Sequence, residues 1–115
     1  MKSSATPHDM ALYGALRALA FISTPDLREG RMFGSPSLYV GRRMAACVLG
    51  AEVGLRVPAT LAESARASGR AQTFTPYGKA PMREWIALNL DPDRLSEAAD
   101  LIAAALDFAR TNNNA

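Results

Sequence analysis

Arginine side chains around a predicted β-hairpin are the residues of this chain best suited to bind an anion. Arg42 and Arg43 are adjacent at the predicted tip of that hairpin, and Arg31 and Arg56 lie in neighbouring segments. Guanidinium groups donate paired, charge-assisted hydrogen bonds to phosphate and carboxylate groups. If these four residues bind nucleic acid, we expect a weak, salt-sensitive contact with phosphates that does not depend on base sequence. The competing interpretation is that they are solvated surface side chains.

A second set of side chains, three aromatic and one basic, predicts a small pocket. Phe74, Tyr77 and Lys79 lie in a segment rich in Gly, Pro and Thr, and Trp85 lies in the strand that follows. A pocket between the sheet and the last helix near these residues would suit a small ligand or a substrate. The simpler interpretation places Phe74 and Trp85 in the hydrophobic core, because aromatic side chains of a small sheet usually pack inside. We expect the second.

The cysteine and histidine content argues against most catalytic mechanisms. Cys47 is the one cysteine and His8 the one histidine, so an intramolecular disulfide and a cysteine-based metal site are excluded. Cys47 lies in an apolar run, where a buried and unreactive thiol is expected. The sequence predicts no catalytic residue, no metal ligand and no cofactor site. An enzyme is therefore the least supported class.

The hydrophobic pattern of the first half of the chain predicts a helix and then an antiparallel meander. The helix begins near Thr6 and ends before Pro25, since proline cannot continue a helix. A two-residue turn at Gly41 and Arg42 joins two of the strands. The meander has three strands, at residues 37–40, 43–49 and 52–57, with a weaker candidate at 27–33.

The second half of the chain predicts a helix, a loop, a strand and a last helix. Thr60 and Glu63 have the spacing of a capping box, which would open the helix that Gly69 closes. The later elements are a structured loop at 70–81, a strand at 82–90 and a helix that Asp91 caps. Leu101 and Phe108 widen the apolar arc of that helix beyond what one sheet face needs, which predicts a partner surface.

The order of these elements, α-β-β-β-α-β-α, predicts an α+β fold. The three-strand meander and the later strand form an antiparallel sheet, with helices mainly on one face. A chain of 115 residues fits a single domain over residues 1–115, in which residues 111–115 are a polar tail. No apolar stretch approaches the roughly 18 residues of a membrane span, and the N-terminus lacks a secretory core. We therefore expect a cytoplasmic protein without a membrane partner.

The net charge of +2 conceals an uneven distribution of charge. Residues 28–83 contain nine basic and three acidic side chains, whereas residues 84–115 contain six acids and two arginines. A basic middle beside an acidic last helix would bind an anion or complement a second copy of the chain.

Three short segments carry a family resemblance: Arg31-Met32-Phe33-Gly34, the strand pair at 38–45, and Phe74 with Lys79-Ala80-Pro81-Met82-Arg83-Glu84-Trp85. They resemble the TfoX (Sxy) N-terminal domain family, and more distantly the YjbR family, over most of the chain. The resemblance implies an antiparallel sheet similar to that of secretion chaperones and a regulatory connection to competence gene expression. It implies no catalytic residues. The family more often has a second glycine where this chain has Ser35-Pro36-Ser37.

The function that these observations predict is a non-catalytic regulatory or interaction module. Its expected partners are an unidentified protein and a second copy of itself, in a homodimer formed through an exposed sheet edge or the last helix. One alternative is a weak, sequence-nonspecific nucleic-acid binder that uses the four arginines named first. The other is a small-ligand binder or enzyme with a pocket near Trp85.

Overall fold

The computed structural model, which describes residues 9–32, 34–76 and 82–112, is an α+β fold with a six-strand antiparallel sheet. The elements in chain order are α1 (Met10–Ser23), β1 (Arg28–Met32), β2 (Ser35–Val40), β3 (Arg43–Leu49), β4 (Glu52–Arg56), α2 (Ala59–Ala67), β5 (Gln72–Thr73), β6 (Trp85–Leu88), a 3₁₀ segment (Pro92–Ala98) and α3 (Ala99–Asn112). The order of strands across the sheet is β1-β2-β3-β4-β6-β5. The predicted fold class is confirmed.

The sheet has more strands than the sequence predicts. The weak candidate at 27–33 forms β1, so the meander has four strands rather than three. The segment predicted as a loop contains β5, in which Gln72 lies opposite Ala87 of β6. A two-residue strand is too short to show alternation, and it forms because β6 offers it an unpaired edge.

The hairpin between β2 and β3 turns at the predicted position. Gly41 has φ 63°, a left-handed conformation that side chains other than glycine rarely adopt. A bulge interrupts the register between Leu38 and Tyr39, so that these residues face Ala46 and Met44. The turn prediction is confirmed, and it fixes Arg42 and Arg43 at one end of the sheet.

Helix α1 begins where Asp9 caps it. The Asp9 carboxylate accepts a hydrogen bond from the Leu12 backbone N–H at 3.0 Å. The predicted start near Thr6 is therefore wrong, because Asp9 occupies the cap position and the helix begins at Met10. Thr6 itself lies outside the described residues. The helix ends at Ser23, before Pro25 as predicted, and the Thr24 N–H donates to the Ala20 carbonyl at 2.9 Å.

The sheet separates two hydrophobic clusters of unequal size. The larger one contains buried residues from α1, α2 and α3 together with alternate residues of the central strands, among them Leu16, Leu38, Val48, Leu55, Ile86 and Leu101. The smaller one, here called the Phe74 cluster, consists of Cys47, Phe74, Trp85 and Ala87, against which Met32, Met44, Leu49 and Met82 pack. No described helical residue belongs to the Phe74 cluster, so the helices lie mainly on one face, as predicted.

Three local predictions are wrong. The predicted capping box does not form, because α2 begins at Ala59 with Pro58 in the cap position and no side-chain capping bond. The strand predicted at 82–90 is shortened to Trp85–Leu88, since the Trp85 N–H closes a turn onto the Met82 carbonyl at 3.2 Å. The last helix begins as a 3₁₀ segment, and Asp91 occupies its cap position without a side-chain bond.

The partner surface predicted on the last helix is also absent at one of its two residues. Leu101 is 2% exposed and packs in the larger cluster, so it offers nothing to a partner. Phe108 is half-buried, and the guanidinium of Arg56 lies over its ring, 5.2 Å from the centroid. The widened apolar arc therefore serves the core and a contact within the chain.

Candidate binding cleft

A cleft of about 490 Å³ lies at the end of the sheet where β4 ends and β6 begins. Its described lining residues are Arg56, Ala59, Met82, Arg83, Glu84 and Trp85. A smaller depression of about 90 Å³ adjoins it and is lined by Ala59, Thr60, Glu63, Arg66 and Arg83. Because Ala59 and Arg83 line both, we treat them as one site and call it the Arg83 cleft.

Strand pairing brings the cleft together from residues far apart in the sequence. Arg56, the last residue of β4, lies opposite Trp85, the first residue of β6. The Val57 N–H extends the pairing by donating to the Glu84 carbonyl at 2.9 Å. Pro58 then ends the strand, and α2 starts at once, so its first turn forms the second wall.

The indole of Trp85 is held in place from behind by Phe74. The two rings stack with their centroids 5.4 Å apart and an interplanar angle of 27°. Gly54 makes this arrangement possible, since a Cβ there would lie 2.7 Å from Phe74 Cζ. Trp85 is 9% exposed and is one of the residues that line the cleft. The apolar part of the site is therefore rigid.

The three arginines of the cleft differ in how they are held. Arg56 Nη2 forms an ion pair with Glu84 Oε1 at 2.9 Å, and the Arg56 side chain is 21% exposed. Arg66 Nη1 donates to the Trp85 carbonyl at 3.2 Å. Arg83 is exposed and forms no ion pair with any described residue. Arg83 is thus the cation that remains available to a ligand.

The first turn of α2 adds to the positive potential of the cleft. It contains no acidic side chain, and Pro58 cannot cap it with a side-chain hydrogen bond. Free backbone N–H groups and the helix dipole give such an end a partial positive charge. The carboxylates of Glu63 and Glu84 lie in the same lining, so the site combines both signs of charge with an apolar wall.

The predicted nucleic-acid-binding arginines do not form one surface. Arg42, Arg43 and Arg56 lie at the end of the sheet that contains the β2–β3 turn, where β4 also ends. Arg31 lies opposite Pro36, near the other end of β2, and its Nη1 donates to the Gly34 carbonyl at 2.8 Å. The structure therefore places three of the four at one end of the sheet.

Of the four predicted pocket residues, one lines the cleft and another lies buried behind it. Trp85 lines the cleft, whereas Phe74 is fully buried behind it, as expected for a core residue. Tyr77 and Lys79 lie outside the described residues. The cleft is bounded by α2 and the turn before β6. The pocket predicted between the sheet and the last helix stays a prediction.

The thiol of Cys47 is unsuited to nucleophilic chemistry. It lies in the Phe74 cluster, fully buried, and burial raises the pKa of this thiol to about 12. The predicted burial of Cys47 is confirmed. Among the described residues, no three His, Cys, Asp or Glu side chains are arranged to hold a metal ion. No helix in the same ranges is long and apolar enough to cross a membrane.

The sequence missed Arg83, Ala59 and Met82 as parts of a site. In the sequence, Arg83 and Glu84 stand out only as part of the segment before Trp85 that carries the family resemblance, whereas in the structure Glu84 forms an ion pair with Arg56. The available signal was the basic residue two positions before the single tryptophan, at the start of a strong strand pattern. That signal becomes specific only once β4 and β6 are known to be neighbours.

Comparison of the chain with protein-family models, with curated proteins and with solved structures found no match. The resemblance to the TfoX N-terminal domain family, and the similarity to secretion chaperones that it implies, stay predictions. The geometry of the Arg83 cleft is the stronger basis for a functional proposal.

Proposed function

We propose that this chain is a non-catalytic interaction module that binds an acidic segment of a protein partner in the Arg83 cleft. The observation that carries the proposal is the exposed guanidinium of Arg83, which has no ion-pair partner among the described residues and lies beside a rigid apolar wall. Arginine binds carboxylate in a bidentate geometry, and the neighbouring Trp85 and Met82 suit an apolar side chain.

The size and character of the cleft fit a short peptide segment. A volume of about 490 Å³ is within the range of sites that hold small ligands or a few side chains. Arg56 and the first turn of α2 strengthen the positive potential on either side of Arg83. Glu63 and Glu84 favour a segment in which acidic residues alternate with neutral ones.

Nucleic acid is the second candidate, supported by the position of Arg42, Arg43 and Arg56 at the same end of the sheet. Two observations favour the peptide over it. The carboxylates in the cleft would repel a continuous phosphate backbone. Phe74 and Trp85 are buried against each other, so they offer no platform on which bases could stack.

The family resemblance makes the proposal more specific. We propose a cytoplasmic regulator of the TfoX N-terminal type, with a sheet like that of secretion chaperones. Its support is the three short sequence segments, which imply regulation rather than catalysis. Cys47 is buried in the Phe74 cluster and does not line the cleft.

Trp85 provides the experiment, because it is the only tryptophan and lines the cleft. Its fluorescence is measured while the protein is titrated with a short peptide of alternating Glu and Leu, and with a matched peptide of Lys and Leu. We expect a saturable change with the acidic peptide alone. A single-stranded oligonucleotide, at low and moderate salt, tests the second candidate in the same assay.

Charge-reversal variants show which residues are needed for the fluorescence change. Arg83→Glu should abolish the change produced by the acidic peptide, whereas Arg94→Glu, with the same change in charge on the 3₁₀ segment, should keep it. Equal binding by wild type and Arg83→Glu would contradict the proposal. A response to the oligonucleotide that Arg42→Glu with Arg43→Glu removes would favour nucleic acid instead.

A further inference from the structure

The edge strand β1 has a charge pattern that is complementary to itself. Its five residues, Arg28–Met32, read Arg-Glu-Gly-Arg-Met, with opposite charges placed symmetrically about the central glycine. Among the described strands, β1 pairs with β2 alone and therefore ends the sheet. The side chains of Arg28, Glu29 and Arg31 are exposed along this edge.

We propose that two copies of the chain form a homodimer by antiparallel pairing of their β1 strands, with the twofold axis at Gly30. In this register Glu29 of one copy lies directly opposite Arg31 of the other. The twofold axis generates a second, identical pair. Directly opposed residues of antiparallel strands have Cβ atoms roughly 4.5–5.5 Å apart, close enough for an ion pair. The interface is isologous, as expected for a twofold dimer.

Three of the four registers within two residues place like charges opposite each other, and the fourth pairs no opposite charges. A shift of two residues places either Glu29 opposite Glu29 or Arg31 opposite Arg31. A shift of one residue places the helices of the two copies on opposite faces of the joined sheet. It puts Arg28 opposite Arg31 in one direction and Glu29 opposite Met32 in the other. Like charges directly opposite each other destabilise a strand pair. The register centred on Gly30 is the one within two residues that pairs opposite charges.

The two charged side chains are already oriented within each chain. Tyr13 Oη donates to Glu29 Oε1 at 2.6 Å, and Arg17 Nε contacts Glu29 Oε2 at 2.9 Å, yet the Glu29 side chain stays 43% exposed. Arg31 uses one N–H to reach the Gly34 carbonyl, which leaves its other donors for a partner. Little side-chain entropy is then lost when the cross-strand pairs form.

Gly30 suits the position on the axis. The Tyr39 ring lies against it so closely that a Cβ would be 2.8 Å from Tyr39 Cε1. Two glycines meet at the axis, so no side chain of either copy obstructs the approach of the strands. Edge strands usually prevent association with charged residues. In this chain the charges of β1 disfavour pairing with other edge strands and favour pairing with β1 of a second copy.

The dimer surface is independent of the Arg83 cleft, since β2, β3 and β4 separate β1 from β6. Pairing of two five-residue strands buries little area, so we expect a dimer that dissociates on dilution. Its ion pairs are exposed, and salt should weaken them.

Sedimentation equilibrium of the full chain at high micromolar concentration and low salt tests the proposal. Wild type should approach twice the chain mass of 12.3 kDa. Arg31→Glu and Glu29→Arg, each alone, should sediment as monomers because like charges then face each other. An equimolar mixture of the two variants should restore the dimer, since each substituted strand complements the other. Arg94→Glu, away from β1, should dimerise like wild type.

A wild-type monomer, a dimeric Arg31→Glu variant, or a mixture of folded variants that stays monomeric would overturn the proposal. Far-UV circular dichroism reports whether each variant folds. If Glu29→Arg does not fold because it loses the contacts with Tyr13 and Arg17, the Arg31→Glu variant alone tests the proposal. Its side chain makes one described hydrogen bond, to Gly34, so its fold should persist.

Discussion

The two faces of the sheet are covered by different kinds of structure. On one face, buried residues of α1, α2 and α3 pack in a single aliphatic cluster with alternate residues of the strands. On the other, the Phe74 cluster relies on one ring stack and several sulfur-containing side chains. The three helices bury the larger cluster, whereas the cover of the other face ends at Trp85 and Met82, where the cleft opens. The binding site thus lies at the margin of the smaller cluster.

The two faces of the sheet also differ in how well they tolerate a substitution. A helix can shift slightly to accommodate a change in one of its many contacts. Phe74 lies against the backbone at Gly54, which cannot shift without distorting the sheet. We therefore expect the helical face to provide most of the stability, and the Phe74 cluster to provide a rigid wall for the cleft.

The largest effect should come from the helical face. Leu16 is fully buried in α1, so Leu16→Ala should reduce the free energy of unfolding by about 2–5 kcal/mol. Urea denaturation followed by circular dichroism measures this. Ile22→Ala, in the same helix at an 80% exposed position, is the control and should change stability by less than about 0.5 kcal/mol. Similar values for the two variants would contradict the assignment of Leu16 to the core of the helical face.

The Phe74 face should give the next largest effect, through a glycine. Gly54→Ala places a methyl group against the Phe74 ring and should cost about 1–3 kcal/mol. The emission of Trp85 should change as well, because the ring stack is displaced. Gly14→Ala is the matched control: a Cβ there meets nothing within 4 Å, and the helix should gain about 0.5–1 kcal/mol. Unchanged Trp85 emission in Gly54→Ala would show that the wall is not rigid.

Arg56 connects the two faces, and its removal should have a moderate effect. The guanidinium pairs with Glu84 at the cleft and lies over the Phe108 ring of α3. Arg56→Ala should therefore lower stability by about 1 kcal/mol, measured by urea denaturation. Arg56→Lys keeps the charge but loses the planar group, so it should recover part of that loss. A lysine variant as unstable as the alanine variant would indicate that charge contributes nothing.

The smallest effect concerns an ion pair at the margin of the helical face. The hydrogen bonds from Arg70 to the Asp100 carboxylate lower the pKa of Asp100 to about 2 from an ordinary 3.8. A lowered folded-state pKa stabilises the fold above the unfolded value, and this contribution is lost as the pH falls from about 4 to about 2. Because the pair is exposed, the loss should be below about 1 kcal/mol.

Asp100→Asn provides the comparison for that measurement. The variant should show a flatter dependence of the urea midpoint on pH between about 4 and 2 than wild type does. An identical dependence in the two proteins would assign the acid sensitivity to other carboxylates. Asp26, Glu29 and Glu97 are the candidates, since arginine contacts or, for Glu29, the Tyr13 hydroxyl lower their pKa values as well.

Local patterns made much of the fold predictable. The helical spacing of Leu12 and Leu16, the proline that stops α1 and the Gly41 turn depend on a few consecutive residues, and the structure follows them. Elements that depend on distant contacts were missed. Strand β5 exists because β6 pairs with it, and Pro58 displaced the cap expected at Thr60 because the chain turns there directly out of β4.

The site was less predictable than the fold for the same reason. Arg56 and Trp85 were both recognised from their residue types, but in two unrelated hypotheses. Only the pairing of β4 with β6 places them opposite each other. Arg83 has no distinctive spacing, and it becomes notable because the neighbouring Glu84 is already paired with Arg56. Ion-pair partners of this kind cannot be read from residue order.

Binding at the Arg83 cleft is tested most directly by titrating the ¹⁵N-labelled full chain with the alternating Glu and Leu peptide and following the backbone amide shifts. We expect saturable shifts at Ala59, Arg83, Glu84 and Trp85, with the amides of Arg42 and Arg43 unmoved. Shifts centred on the Arg42–Arg43 turn, or no shifts at all, would contradict the assignment of the Arg83 cleft as the binding site.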